Sequence, residues 1–192
     1  MERVPSQCIC AVEIHGKDDK PESTRKFIFF VDKNYHIACY EGGGETTVYK
    51  QPATSGIITE GGQAIKTASR FIGATTYDNG KQIRIYYIKK EEKKADPKKA
   101  DRFFLCETCC TIDPRTTILT WYPGALHVND HRVPIDNHAL LDATAHSGRP
   151  MVIFQESEDH VLYAAYMSLP VPPAKNEVWT SKKLTLIPDP NA

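Results

Sequence analysis

The chain has 192 residues, with 24 Lys and Arg set against 24 Asp and Glu, so its formal net charge is zero. Such a balance excludes a general affinity for nucleic acid or anionic membranes, which needs an excess of positive charge. No window reaches the ~20 continuous apolar residues of a membrane-spanning helix, and the opening MERVPSQCICAVEIHG has no secretory apolar run. The expectation is a cytoplasmic chain, or one already trimmed of a leader. The six cysteines fit that compartment, because most lie among apolar residues where a thiol acts as a small hydrophobe. Their even number leaves a disulfide framework open.

Helix signals are nearly absent. Thirteen prolines, eleven glycines and many β-branched and aromatic residues instead predict short strands joined by turns. In chain order the first unit reads SQCICAVEI (6–14), RKFIFFVD (25–32), the turn Lys33-Asn34, YHIACYEGG (35–43) and ETTVYK (45–50). The second reads SRFIGATTY (69–77), the turn Asp78-Asn79-Gly80, KQIRIYYIK (81–89), RFFLCETCC (102–110) and TTILTWYPG (116–124). The third reads HALLDATAH (138–146), the turn Ser147-Gly148, RPMVIFQES (149–157), HVLYAAYMS (160–168) and EVWTSKKL (177–184). Laid over each other, the units align Ala11 with Ala74 and Ala143, and Phe29 with Ile85 and Ile153. Cys39 and Cys106 align in the third strand, with Tyr163 in the last unit.

A lone four-strand meander cannot cover both of its faces, so such units must stack, and a period of about 50 residues suggests propeller blades. The predicted fold is therefore all-β, a single β-propeller domain over 1–192 with blades at approximately 6–50, 69–124 and 138–184. An ordinary sandwich or barrel of about a dozen strands is the alternative. Three blades leave two open apolar flanks, whereas propellers close with roughly four to eight blades. A homodimer closing a ring of six, or a longer parent chain, answers that need. The charged loop 89–102 reads as a solvated excursion, and the Pro-rich stretch 170–176 as a rigid connector.

The segment RFIGATTYDNGKQIRIYYIKKE (70–91), with Ile83-Arg84-Ile85-Tyr86-Tyr87 as its second strand, resembles a blade of the fungal fucose-specific lectins. These are six-bladed propellers. The resemblance implies saccharide sites between adjacent blades, held by a second-strand arginine, a third-strand acid and an aromatic ring. Arg84 matches the arginine, and Tyr86 shares its strand face. The first blade has Phe27-Ile28-Phe29-Phe30 there and no arginine; the third has Arg149 displaced to its strand start. Cys39, Cys106 and Tyr163 fill the acidic position, with Glu41 and Glu107 out of register. Trp121 and Trp179 are the rings available for stacking. The resemblance thus implies at most one saccharide site per chain, built from Arg84, Glu107 and Trp121.

His127, Asp130 and His131 lie with His138 and His146 between the second and third units. Pro123, Gly124 and Pro134 make this a loop, so the H-x3-H spacing predicts no metal site, and no cofactor fingerprint occurs. At a propeller mouth such groups could do acid–base work. Two further readings therefore stay open. One is a cofactor-free fungal secondary-metabolism enzyme performing a dehydration or cycloaddition of the hetero-Diels–Alderase type; the other is a protein-interaction scaffold. Cys106-x2-Cys109 is read as core thiols on opposite strand faces.

Overall fold

The computed structural model describes residues 9–15, 24–43, 56–78, 80–91, 101–112, 119–127, 132–146, 148–155, 161–168 and 178–184. The protein is all-β. The first sheet runs β1 (Ile9–Ile14), β2 (Arg25–Val31), β3 (Ile37–Gly43). The second contains β4 (Thr59–Glu60), β5 (Gln63–Ala64), β6 (Ile72–Tyr77), β7 (Gln82–Lys90), β8 (Phe103–Thr111), β9 (Trp121–Pro123) and β10 (Val133–Pro134). Its strand order is β5-β4-β9-β8-β7-β6, with β10 on the start of β8. The third runs β11 (Leu140–His146), β12 (Arg149–Gln155), β13 (Leu162–Ser168), β14 (Val178–Lys183). Among the described residues no sheet closes on itself, and no helix is long and apolar enough to cross a membrane.

Strands are present at each position predicted in the second and third units, although the one expected at 116–124 is only Trp121–Pro123. The fourth strand expected at 45–50 lies outside the described residues. On that edge of β3, single bridges join Ala38 to Ile57 and His36 to Lys66. The two-residue strands β4, β5 and β10 were not expected, because so short a stretch shows no periodicity. The predicted turn at Lys33-Asn34 is longer: the Asp32 carboxylate accepts from the Asn34 and His36 amides at 2.8 Å, and β3 begins only at Ile37.

Burial follows position in the stack. In β7 every residue from Ile83 to Ile88 is buried, because sheets cover both faces of the second sheet. In β2 and β12 burial alternates, although both strands are apolar on both faces. One core cluster joins Phe27, Phe29 and Cys39 to Ile83, Ile85 and Trp121; the other joins Tyr86, Ile88 and Leu105 to Val152, Met167 and Trp179. The first strands meet side by side, with β6 packed between β1 and β11. Gly73 permits this approach, since a Cβ there would lie 3.0 Å from the Ala143 Cβ.

Pairing also corrects the alignment of the units. Ala11, Ala74 and Ala143 face Ile28, Ile85 and Val152. If the alanines are equivalent, Ile28 and Val152 match Ile85, one residue from Phe29 and Ile153. A one-residue change exchanges the two sheet faces, so this shift decides which side chains meet the next sheet.

Candidate functional site

Side chains alternate along β7, so Gln82, Arg84 and Tyr86 share the face toward the third sheet. Arg84 lies opposite Cys109, and Tyr86 opposite Glu107, which puts Glu107 diagonally across from Arg84 on that same face. Glu107, expected beside Arg84 although one residue off the acidic position that the resemblance implies, does meet it. Arg84 Nη1 donates to Glu107 Oε1 at 2.9 Å, and the Tyr86 hydroxyl donates to the same oxygen at 3.1 Å. Arg84 Nη2 donates to Gln82 Oε1 at 3.1 Å, and the guanidinium lies 4.2 Å from the Tyr77 ring centre. Met167 of β13 covers it from the third sheet, with Sδ 3.8 Å from Nη1. Arg84 is 3% and Glu107 0% exposed, so the pair is sealed. Burial, and next the Glu107 carboxylate, push the Tyr86 phenol well above its ordinary range.

Of the predicted rings, only Trp179 joins this seam, edge-on to Tyr86 at 5.6 Å between centres. Trp179 is 5% exposed, and its indole N–H has no hydrogen-bond partner. Trp121 does not join it. It pairs with Cys110, one residue from Cys109, and so points to the opposite face, where it meets Phe29 edge-on at 5.9 Å. The aromatic of β9 on the Arg84 face is Tyr122.

The first seam carries a similar arrangement, displaced by two residues along the strands when the alanines are taken as equivalent. Arg25 lies opposite Gly43, and Phe27 opposite Glu41, as Arg84 lies opposite Cys109 and Tyr86 opposite Glu107. Arg25 Nε donates to Glu41 Oε1 at 2.7 Å, and the guanidinium lies 5.2 Å from the Phe27 ring centre. Phe27 stacks on Phe29, which in turn meets Trp121. Each seam thus combines an Arg–Glu diagonal from one sheet with a tryptophan of the next. The first is the more open, since the Arg25 and Glu41 side chains are 21% and 24% exposed, and Arg25 Nη2 is buried with no hydrogen-bond partner. Arg-x-aromatic is present in both second strands, but two residues out of step, so laying the units over each other does not show it.

Arg149 belongs to neither seam. It lies on the free face of the third sheet, where a cavity of about 490 Å³ is lined also by Met151, Tyr166, Lys182 and Leu184. That face corresponds to the ones carrying Arg25 and Arg84, but among the described residues no following sheet covers it.

His127 ends a short 3-10 turn, Ala125–His127, held by its amide donating to the Gly124 carbonyl at 3.0 Å. It lines a second cavity, of about 240 Å³, with Lys89, Phe104, Cys106 and Arg132. Burial lowers its pKa below the ordinary 6.5; nearby Glu60 opposes this, while Lys89 and Arg132 reinforce it. The imidazole is therefore neutral at neutral pH. Asp130 and His131 lie outside the described residues. Among those described, no group of His, Cys, Asp and Glu has the spacing to hold a metal ion.

Cys106 faces the first seam and Cys109 the second, as strand alternation requires. Cys39, Cys106, Cys109 and Cys110 are buried thiols. Burial pushes Cys39 and Cys106 up to about 12 and Cys110 up to about 11, so these three are not ready nucleophiles. Compared with known proteins, the chain matches no family model, no curated protein and no solved structure.

Proposed function

We propose that the protein is a lectin-like β-propeller that binds a saccharide in the seam between its first and second sheets. One observation carries the reading: in both seams an Arg–Glu diagonal shares a sheet face with a ring that meets a tryptophan of the next sheet, and in the first seam Arg25 Nη2 has no acceptor. A buried donor left unpaired costs about 1–3 kcal/mol, and a sugar oxygen placed there removes that cost. Glu41 supplies the acceptor for a sugar hydroxyl, and Phe27 the apolar ring face. The second seam has the same parts but closes on itself, since Gln82, Tyr77 and Met167 already cover Arg84. The reading therefore retains one saccharide site per chain and moves it from Arg84 to Arg25.

A glycan array followed by titration calorimetry tests this. Arg25→Met should abolish saccharide binding while leaving the melting temperature near that of the parent, because Arg25 is partly exposed. Uniform silence of the array, or binding unchanged in Arg25→Met, overturns the assignment.

In this proposal the ring closes with a second copy of the chain. The free face of the third sheet exposes Leu140, Leu162, Tyr166 and Leu184, and that of the first exposes Ile9 beside the stacked Phe30 and Tyr40 rings. The two faces are of complementary kinds. The third sheet offers the face that in the first two sheets is covered by a following sheet, and the first offers the face that elsewhere covers a preceding one. Two copies joined head to tail satisfy both faces at once. Light scattering should give twice the chain's mass, and Leu162→Asp should return the monomer; a monodisperse monomer of the parent protein counts against ring closure.

A further inference from the structure

Cys39 and Cys110 line the first seam from opposite sides. Cys39 lies directly across from Phe29 in the β2–β3 register, and Cys110 directly across from Trp121 in the β8–β9 register. Cross-strand neighbours share a sheet face, so each thiol sits beside one of the two rings that meet edge-on across the seam at 5.9 Å between centres. Both belong to one core cluster, at 3% and 0% exposure. The second seam shows where such a pair of positions goes. With the alanines as equivalents, Cys39 corresponds to Glu107 and Cys110 to Met167, which stands opposite Trp179 as Cys110 stands opposite Trp121. Glu107 Oε1 and Met167 Sδ approach the same nitrogen, Arg84 Nη1, at 2.9 Å and 3.8 Å, so these two positions converge between the sheets. Burial raises both thiols; on Cys39 the Glu41 carboxylate and the Cys110 sulfur add to it, and on Cys110 the Thr120 backbone and Arg25 oppose it. The two sulfurs are therefore within electrostatic reach of each other, beside the Arg25–Glu41 pair.

We infer that Cys39 and Cys110 are a redox-sensitive pair, which a small peroxide converts to a disulfide tying the first sheet to the second. The first seam is the more accessible to such an oxidant, because its Arg25 and Glu41 side chains are 21% and 24% exposed, whereas the Arg84–Glu107 pair is sealed. The Cys110 thiolate attacks one peroxide oxygen, the O–O bond breaks, and a sulfenic acid forms as hydroxide leaves. The Cys39 thiolate then attacks the sulfenic sulfur, forming the S–S bond and releasing a second hydroxide. Protons given up by the two thiols turn both hydroxides into water, so each sulfur is oxidised by one electron and the peroxide is reduced to water. Cys110 acts first because its pKa, about 11, is below the value of about 12 at Cys39. Both lie far above neutrality, so the reaction is slow at neutral pH and quickens as pH rises. The crosslink depends on the packing of the first seam and not on saccharide binding there.

Peptide mapping of the full chain tests this after oxidation of the folded protein with hydrogen peroxide at mildly alkaline pH, alkylation of the remaining thiols and tryptic digestion without reduction. Trypsin leaves Cys39 on one peptide and Cys106, Cys109 and Cys110 together on another. The two peptides should be recovered joined, lighter than their sum by two hydrogens. The link should persist in Cys106→Ala and in Cys109→Ala and disappear in Cys110→Ala. In Cys39→Ala, a sulfenic acid should remain at Cys110 and be labelled by dimedone. The melting temperature of the oxidised parent should rise by about 5 °C or more and fall back with dithiothreitol, because closing a long loop restricts the unfolded chain. A link from Cys39 to Cys106 or Cys109, a link formed only after denaturation, or recovery of Cys39 unlinked would each overturn the pairing. An unchanged melting temperature with the link in place would overturn its role as a tie between the sheets.

Discussion

Glu107→Ala lowers the free energy of unfolding by about 3–5 kcal/mol, the range for breaking a buried ion pair from one side. The size follows from what is left behind. Arg84, 3% exposed, loses the carboxylate 2.9 Å away, and the buried Tyr86 hydroxyl loses its acceptor. Neither can turn to water, since Met167 and Tyr77 close the seam around the guanidinium. Such a loss is a large part of the 5–15 kcal/mol that holds a typical domain together. The pair's net worth is a separate quantity. Replacing the whole polar group with apolar residues of similar volume, as in Arg84→Met, Tyr86→Phe, Glu107→Leu together, should restore stability to near that of the parent. Urea unfolding of both variants checks this. A cost under about 1 kcal/mol for Glu107→Ala would place the pair with exposed ion pairs and contradict its burial.

Gly124→Ala carries the second large effect, through steric overlap rather than backbone strain. The Gly124 amide donates to the Glu107 carbonyl at 2.9 Å, which holds the chain leaving β9 against β8. In that position an added Cβ would overlap the Glu107 carboxylate and its methylene group. The carboxylate cannot withdraw without losing Arg84 and Tyr86, so overpacking here costs about 1–3 kcal/mol or more. The two substitutions are therefore coupled. In a Glu107→Ala background the overlapping atoms are gone, and Gly124→Ala should become nearly neutral, giving a coupling energy of about 1–3 kcal/mol in the double-mutant cycle. Strict additivity would show that Gly124 and Glu107 do not meet as described.

These effects arise where local pattern was a good guide to strands and a poor one to partners. The apolar runs of the second and third units announced β6 to β8 and β11 to β14, because a β-strand needs only its own residues to show an extended, half-apolar character. Alternation likewise placed Arg84 and Tyr86 on one face and sent Cys106 and Cys109 to opposite faces. The sequence named Glu107 as the acid for Arg84, but not the register that brings the two together. Glu107 reaches the site diagonally rather than from the position directly opposite Arg84, which depends on the β7–β8 register. Trp121 was misplaced for a related reason: a one-residue step along β9 moves a ring to the other side of the sheet, and a three-residue strand shows no alternation to read.

By itself, then, the sequence determined that the chain is all-β, built of repeated meanders, with an arginine-bearing second strand in the middle unit. Each of these is a property of neighbours along the chain. Only the tertiary structure decided how Glu107 reaches Arg84, that Arg25 and Glu41 form a similar but more open pair, and that among the described residues no following sheet covers Arg149. Those outcomes depend on cross-strand register and on which face each sheet presents to the next. Both are set by packing between segments tens of residues apart, and apolar letters alike on both faces of β2, β7 and β12 carry no mark of it.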